Sequence, residues 1–183
     1  MDNLLRVLNY LKTTPNYGIK YDGGKTMILK TYVDSSHAMH KDGRGHGGMF
    51  ITLGSGYVYA KSGKLKAATL SSTESENAMM CEGATYIVWM RQLLSFFGYV
   101  MTAPTRMYQD NLSAIWLGKH DGKFSRNKHT LVKRSYFREQ VTGGVIEPMH
   151  LRTEEMPADM GTKPLTRKLM TRHMKAMGMN KLN

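Results

Sequence analysis

Apolar residues recur at helical spacing between positions 4 and 12, as Leu4, Leu5, Val7, Leu8 and Leu11, and Thr13-Thr14-Pro15 ends the pattern. A short helix and a loop-like connector are predicted there. Asp22-Gly23-Gly24 marks a turn, and residues 26–34 are rich in the β-branched and aromatic side chains of a strand. A polar, glycine-rich loop is expected from Ser35 to Gly47. Residues 49–53 and 57–61 then flank Gly54-Ser55-Gly56 as a β-hairpin.

Ser71 with Glu74 and Thr73 with Glu76 form overlapping capping-box patterns ahead of a long helix that runs to about Gly98. Residues 105–109 predict a short strand, residues 111–119 and 128–141 two helices, the second stopped by Gly143-Gly144. Residues 145–151 predict a last strand, where Pro148 requires a sheet edge or a bulge. Thr153 caps a short helix with Pro157 near its first turn, and Pro164 separates it from a basic, Met-rich C-terminal helix. Three leading strands followed by strands alternating with helices predict an α/β domain whose mixed sheet is covered by helices.

The length of 183 residues suits one domain with short extensions. Its 26 Lys and Arg against 14 Asp and Glu leave a net +12, a surface that attracts polyanions. Cys81 is the only cysteine, which excludes an intramolecular disulfide or a cysteine-rich zinc site and fits a reducing compartment. The first fourteen residues lack the apolar run and cleavage site of a signal peptide, and no stretch is apolar enough to span a bilayer. A soluble, intracellular protein, neither secreted nor bound to a membrane, is expected. The 16 Met residues read as fillers of core gaps.

Four acids stand at element ends: Asp34, Glu76, Asp110 and Asp159. Each alone has a structural explanation, as turn residue, capping-box member, helix N-cap and helix-dipole acid respectively. Glu76, however, shares a helical stripe with Met80, Gly83, Ile87, Met90 and Leu94, so its carboxylate faces inward and needs a partner.

The blocks around these acids resemble, in order, the ribonuclease H domain of copia-type LTR retrotransposon polyproteins. Tyr32-Val33-Asp34 resembles the first catalytic strand, and Leu70-Ser71-Ser72-Thr73-Glu74-Ser75-Glu76 a block whose second Glu is a ligand. Tyr108-Gln109-Asp110-Asn111 is similar to the third block, and Ala158-Asp159-Met160-Gly161-Thr162-Lys163-Pro164-Leu165 to the last. Ser125-Arg126-Asn127-Lys128-His129 resembles the entrance to the helix before the final strand, and residues 6–12 the end of the preceding reverse transcriptase. The chain departs from the pattern at Ser36, where the family has a second Asp, at Asn77 and in the strand 57–63; residues 152–155 also lack the His that many cellular ribonucleases H place there, with His150 nearby.

The resemblance implies a ribonuclease H-like fold with a mixed five-stranded sheet and helices on both faces. It divides the chain into a connector (1–24), a ribonuclease H domain (25–165) and a basic Met-rich tail (166–183). It implies hydrolysis of the RNA strand of RNA–DNA hybrids during reverse transcription, with the reverse transcriptase domain of the same polyprotein as partner and a cytoplasmic, virus-like-particle or nuclear setting. Asp34, Glu76, Asp110 and Asp159 become the catalytic ligands of two Mg²⁺ ions, for which Mn²⁺ can substitute. Hard oxygen donors from separate elements suit such ions. The rival readings are a catalytically silent hybrid-binding module and an integrase-like strand-transfer enzyme.

A basic face for the hybrid is expected from Lys119, Lys123, Arg126, Lys128, His129, Lys133 and Arg134, continued by Arg138 and the basic tail. Gly43 to Gly48 satisfies GxGxxG, but it opens a strand and not a helix, so a flexible β-turn is expected and not a nucleotide site. His37, His40 and His46 are expected to be solvated loop residues and not a zinc site.

Overall fold

The computed structural model describes residues 2–21, 23, 27–120 and 128–182; the side chains of residues 2, 3 and 128–130 lie outside the described set. Alternation along Leu29–Ser36 (β2) sends Thr31 and Val33 into the core and Tyr32 to the other face. That strand is central. It pairs antiparallel with Arg44–Leu53 (β3), which pairs antiparallel with Gly56–Ala68 (β4), and parallel with Thr105–Gln109 (β5), which pairs parallel with Ile146–His150 (β6). The five-stranded mixed sheet has the order β4-β3-β2-β5-β6. Pro148 therefore lies in an edge strand, where its missing N–H costs no ladder bond.

One face of the sheet is covered by Ser72–Phe96 (α2). Its predicted stripe is buried, from Glu76 through Met80 and Ile87 to Leu94, against Val33, Met49, Ile51 and Met107. Gly83 sets the closeness of this packing, since a Cβ there would meet Val33 and Met107 at 3.0 Å. Leu112–Lys119 (α3) and Lys128–Thr142 (α4) pack beside α2 and reach β6. On the other side two 3₁₀ turns, Thr153–Glu155 and Pro157–Gly161, replace the short helix expected there, and the second packs on β2 and β3. Arg167–Ala176 (α5) follows.

Two departures from expectation are instructive. The strand β3 begins at Arg44, so the glycine-rich segment is not the loop and flexible turn expected through Gly47. Gly45, Gly47 and Gly48 hide the strand's alternation because their bare backbone is packed against. At Gly48 a Cβ would meet the Ala158 carbonyl oxygen at 2.6 Å. The second departure joins the ends of the chain: Tyr17–Ile19 (β1) pairs antiparallel with Met179–Lys181 (β7). This ribbon sits at the β3–β4 hairpin, where Tyr21 donates to the Tyr57 carbonyl at 2.6 Å and Tyr57 N–H to that of Met177 at 3.2 Å. Connector and tail are thus one annex. Its helix Asp2–Thr13 (α1) keeps Leu4, Leu5, Val7, Leu8 and Leu11 exposed.

Candidate metal centre

The structural explanations available for the four acids are taken up by their neighbours. Ser71 caps α2 by accepting from Glu74 N–H at 3.2 Å, and Glu74 reaches back to Leu70 N–H at 2.7 Å, so Glu76 has no capping role. Asn111 caps α3 by accepting from Ala114 N–H at 3.0 Å, which spares Asp110. Asp34 is a strand residue, paired with Gly48 across the ladder. Asp159 lies in the turn Pro157–Gly161, which the missing side chains of Gly48 and Gly161 allow to rest on β3.

These placements converge. One carboxylate oxygen from each of Asp34, Asp110 and Asp159 lies within 4.8 Å of the others. Glu76 borders the same open cleft of about 460 Å³, together with Ser35, Asn111 and Lys163. Three of the acids have an orienting donor. Thr162 Oγ1 donates to Asp34 Oδ2, Thr153 Oγ1 to Asp110 Oδ2 at 2.9 Å, and Gln109 Nε2 to Glu76 Oε2 at 2.7 Å. Gln109 is fully buried and accepts with its Oε1 from Asp110 N–H at 2.6 Å and Asn111 N–H at 3.1 Å. One amide therefore ties the Glu76 carboxylate to the turn that carries Asp110.

Electrostatically the cluster is incomplete. Burial pushes the Asp34 carboxyl up to about 7; the Thr162 hydrogen bond opposes it, and the charges of Asp159 and Asp110 add to it. Burial, then the charge of Asp34, pushes Glu76 up to about 8 against the Gln109 hydrogen bond. Asp159 Oδ2 is paired with Lys163 Nζ at 2.9 Å, while Oδ1 is buried with no partner among the described residues. Buried hard oxygens, one of them orphaned among the described residues and two acids held partly protonated by burial and then by neighbouring charge, fit a divalent cation. Gln109, Thr162, Thr153, Gly48 and the place of Lys163 in the cleft all escape sequence reasoning, because each acts through a contact distant in the chain or through the absence of a side chain.

The expected basic face divides. Lys119 and Lys133 are exposed on α3 and α4. Arg134 corrects the expectation: it is 9% exposed and its Nη2 donates to the Leu117 carbonyl at 3.2 Å, so it ties α4 to the end of α3 and is not a surface cation. Lys123 and Arg126 lie outside the described residues, as do the side chains of Lys128 and His129 at the start of α4. The histidines are satisfied locally, with His40 Nε2 3.1 Å from His46 Nδ1, His46 Nε2 2.9 Å from Ser62 Oγ, and His37 Nδ1 3.2 Å from Thr69 Oγ1. His150 Nε2 lies 3.1 Å from the Asp110 carbonyl oxygen. Among the described residues no helix is long and apolar enough to cross a membrane.

No family model matches the chain. It is 34% identical over 165 residues to the retrovirus-related Pol polyprotein from transposon RE1 of Arabidopsis thaliana, an alignment covering 90% of this chain and 11% of that polyprotein. It is 32% identical over 162 residues to the corresponding polyprotein from transposon TNT 1-94 of Nicotiana tabacum, covering 88% of this chain and 12% of that one. The chain spans about a tenth of the length of these curated relatives. Among solved structures, LC11 ribonuclease H1, isolated from compost by a metagenomic approach, is similar with a TM-score of 0.54 at 14% identity, over 74% of this chain and 92% of that one. Homology and fold agree: the chain is homologous to a segment of the Pol polyproteins of copia-type transposons and takes a ribonuclease H fold.

Proposed function

We propose that the domain is a metal-dependent endoribonuclease that hydrolyses the RNA strand of RNA–DNA hybrids during reverse transcription. The observation that carries this reading is the convergence of Asp34, Asp110 and Asp159, with Glu76 at the same cleft, on oxygens that no described residue neutralises fully. Divalent cations held by Asp34, Glu76, Asp110 and Asp159 would supply an activated water and would stabilise the leaving oxygen of an in-line phosphodiester hydrolysis. Asp34 would serve as the central ligand, Glu76 and Asp110 would act toward the leaving oxygen, and Asp159 toward the attacking water. Mg²⁺ is the proposed ion, with Mn²⁺ able to replace it.

The remaining residues hold this arrangement and the substrate. Thr162, Thr153 and Gln109 fix the directions of three carboxylates by donating to them. Lys119 and Lys133, with Lys123, Arg126, Lys128 and His129, are proposed to contact phosphates of both strands, which fixes register without reading bases. Hybrid affinity should then fall with salt at a log–log slope of roughly −0.9 per contact, and charge reversal at Lys128 and Lys133 should flatten it. The reverse transcriptase domain of the same polyprotein is the proposed partner.

The test is cleavage of a hybrid labelled on either strand, in Mg²⁺, Mn²⁺ and chelator. Internal cuts in the RNA strand with either metal, and none in chelator, are expected. Binding without cutting would favour a silent module, and joining of DNA ends a strand-transfer enzyme; either result overturns the reading.

A further inference from the structure

Among the described residues lining the carboxylate cleft, Lys163 is the cation. Its Nζ lies 2.9 Å from Asp159 Oδ2, and the two side chains differ sharply in access, 38% exposed for Lys163 and 4% for Asp159. The ammonium is therefore the more exposed member of the pair, and it lines the open cleft together with Asp34, Glu76 and Asp110. The charges of Asp34 and Asp110 act on it as well.

The backbone beneath this lysine is pinned. The N–H groups of Thr162 and Lys163 both donate to the Asp159 carbonyl at 3.1 Å, and Thr162 Oγ1 grips Asp34 from the same turn. From this turn a four-carbon stem carries the Lys163 ammonium to Asp159. A compact ammonium with rotatable donors suits exchange between two anionic partners better than the planar fork of an arginine. A buried carboxylate held by one mobile cation keeps a counter-charge until a better one arrives, which removes part of the repulsion among the acids in the meantime.

We propose that Lys163 is the resident counter-cation of the cleft, which gives up Asp159 to an incoming divalent metal ion and then contacts a non-bridging oxygen of the phosphodiester. The inference rests on the nuclease reading for its second half, the phosphate contact. Its first half, competition with the metal for Asp159, concerns this chain alone.

The test uses Lys163→Met and Lys163→Gln, which remove the charge, and Lys163→Arg, which keeps it. Calorimetric titration of Mn²⁺ into the protein without nucleic acid should show severalfold tighter binding in the Met and Gln variants than in wild type. In chelator those two variants should melt lower than wild type, because the acids lose their counter-charge. Binding of an uncuttable hybrid with 2′-O-methyl groups on its RNA strand, measured in Mg²⁺, should weaken, and its salt slope should become shallower by about 0.9. Lys163→Arg should recover the slope. Unchanged or weaker Mn²⁺ binding in both neutral variants overturns the competition, and an unchanged slope overturns the phosphate contact. A wild-type protein that does not cut hybrids would defeat the nuclease reading, while the Mn²⁺ titration would still decide whether Lys163 competes for the metal.

Discussion

Two sets of candidate metal ligands diverge within a few residues of Asp34, and they differ in how completely their atoms are satisfied. The histidines of the β2–β3 region pair with one another and with hydroxyls of Ser62, Thr69 and Ser75. The acids come from four separate places in the chain's topology. They repel one another and leave a buried Asp159 oxygen without a partner among the described residues. Ligating residue types near one another therefore say little. What distinguishes a candidate centre is a buried charge the fold has gathered and not compensated.

The largest expected effect of breaking this contrast is on catalysis. Asp110→Asn keeps shape and hydrogen bonding but removes one converging charge, so cleavage of a labelled hybrid should be nearly abolished. Next comes Gly48→Ala, whose Cβ meets the Ala158 backbone and so displaces the turn carrying Asp159. Melting should register a loss of about 1–3 kcal/mol, and cleavage of the still-folded protein should fall by more than that loss explains.

A smaller effect follows from pH. Asp34 and Glu76 hold protons more tightly in the folded chain, at about 7 and about 8, than at their ordinary values of 3.8 and 4.5. Folded values above unfolded ones mean stability that is fully present below about 4 and is lost as pH rises through about 7 to 8. In chelator, Glu76→Gln should therefore gain stability relative to wild type as pH is raised through this window, read as a widening gap between melting curves. A gap independent of pH would deny that Glu76 is an uncompensated acid. Smallest is His40→Ala, which should change stability by about 1 kcal/mol or less and leave the Mg²⁺ dependence of cleavage untouched.

The strand Thr105–Gln109 and the helix after Ser71 were legible to the residue or nearly so, because β-branched runs, capping boxes and a 3.6-residue stripe are local signals. Glu76 was legible by the same stripe. The start of β3 was not, since three glycines erase alternation where backbone packs on backbone. Nor was the β1–β7 ribbon, whose short strands meet only because the chain's ends do. Arg134 read as one more surface cation because charge in a sequence does not reveal which helix face meets α3. Gln109 and Lys163 stood beside the acids in plain view, but their roles depend on contacts that only the folded sheet creates.

The most direct test of the uncompensated-acid account is a pair of melting curves, wild type and Asp110→Asn, each in chelator and in Mg²⁺. Removing one of several crowded charges should leave the variant melting at the same temperature as wild type or higher in chelator. Mg²⁺ should reverse the order, because the ion stabilises the form that binds it more tightly by an amount that grows with the logarithm of its concentration. A variant that melts far below wild type in chelator would instead make Asp110 a structural residue and contradict the assignment of the cleft as a metal centre.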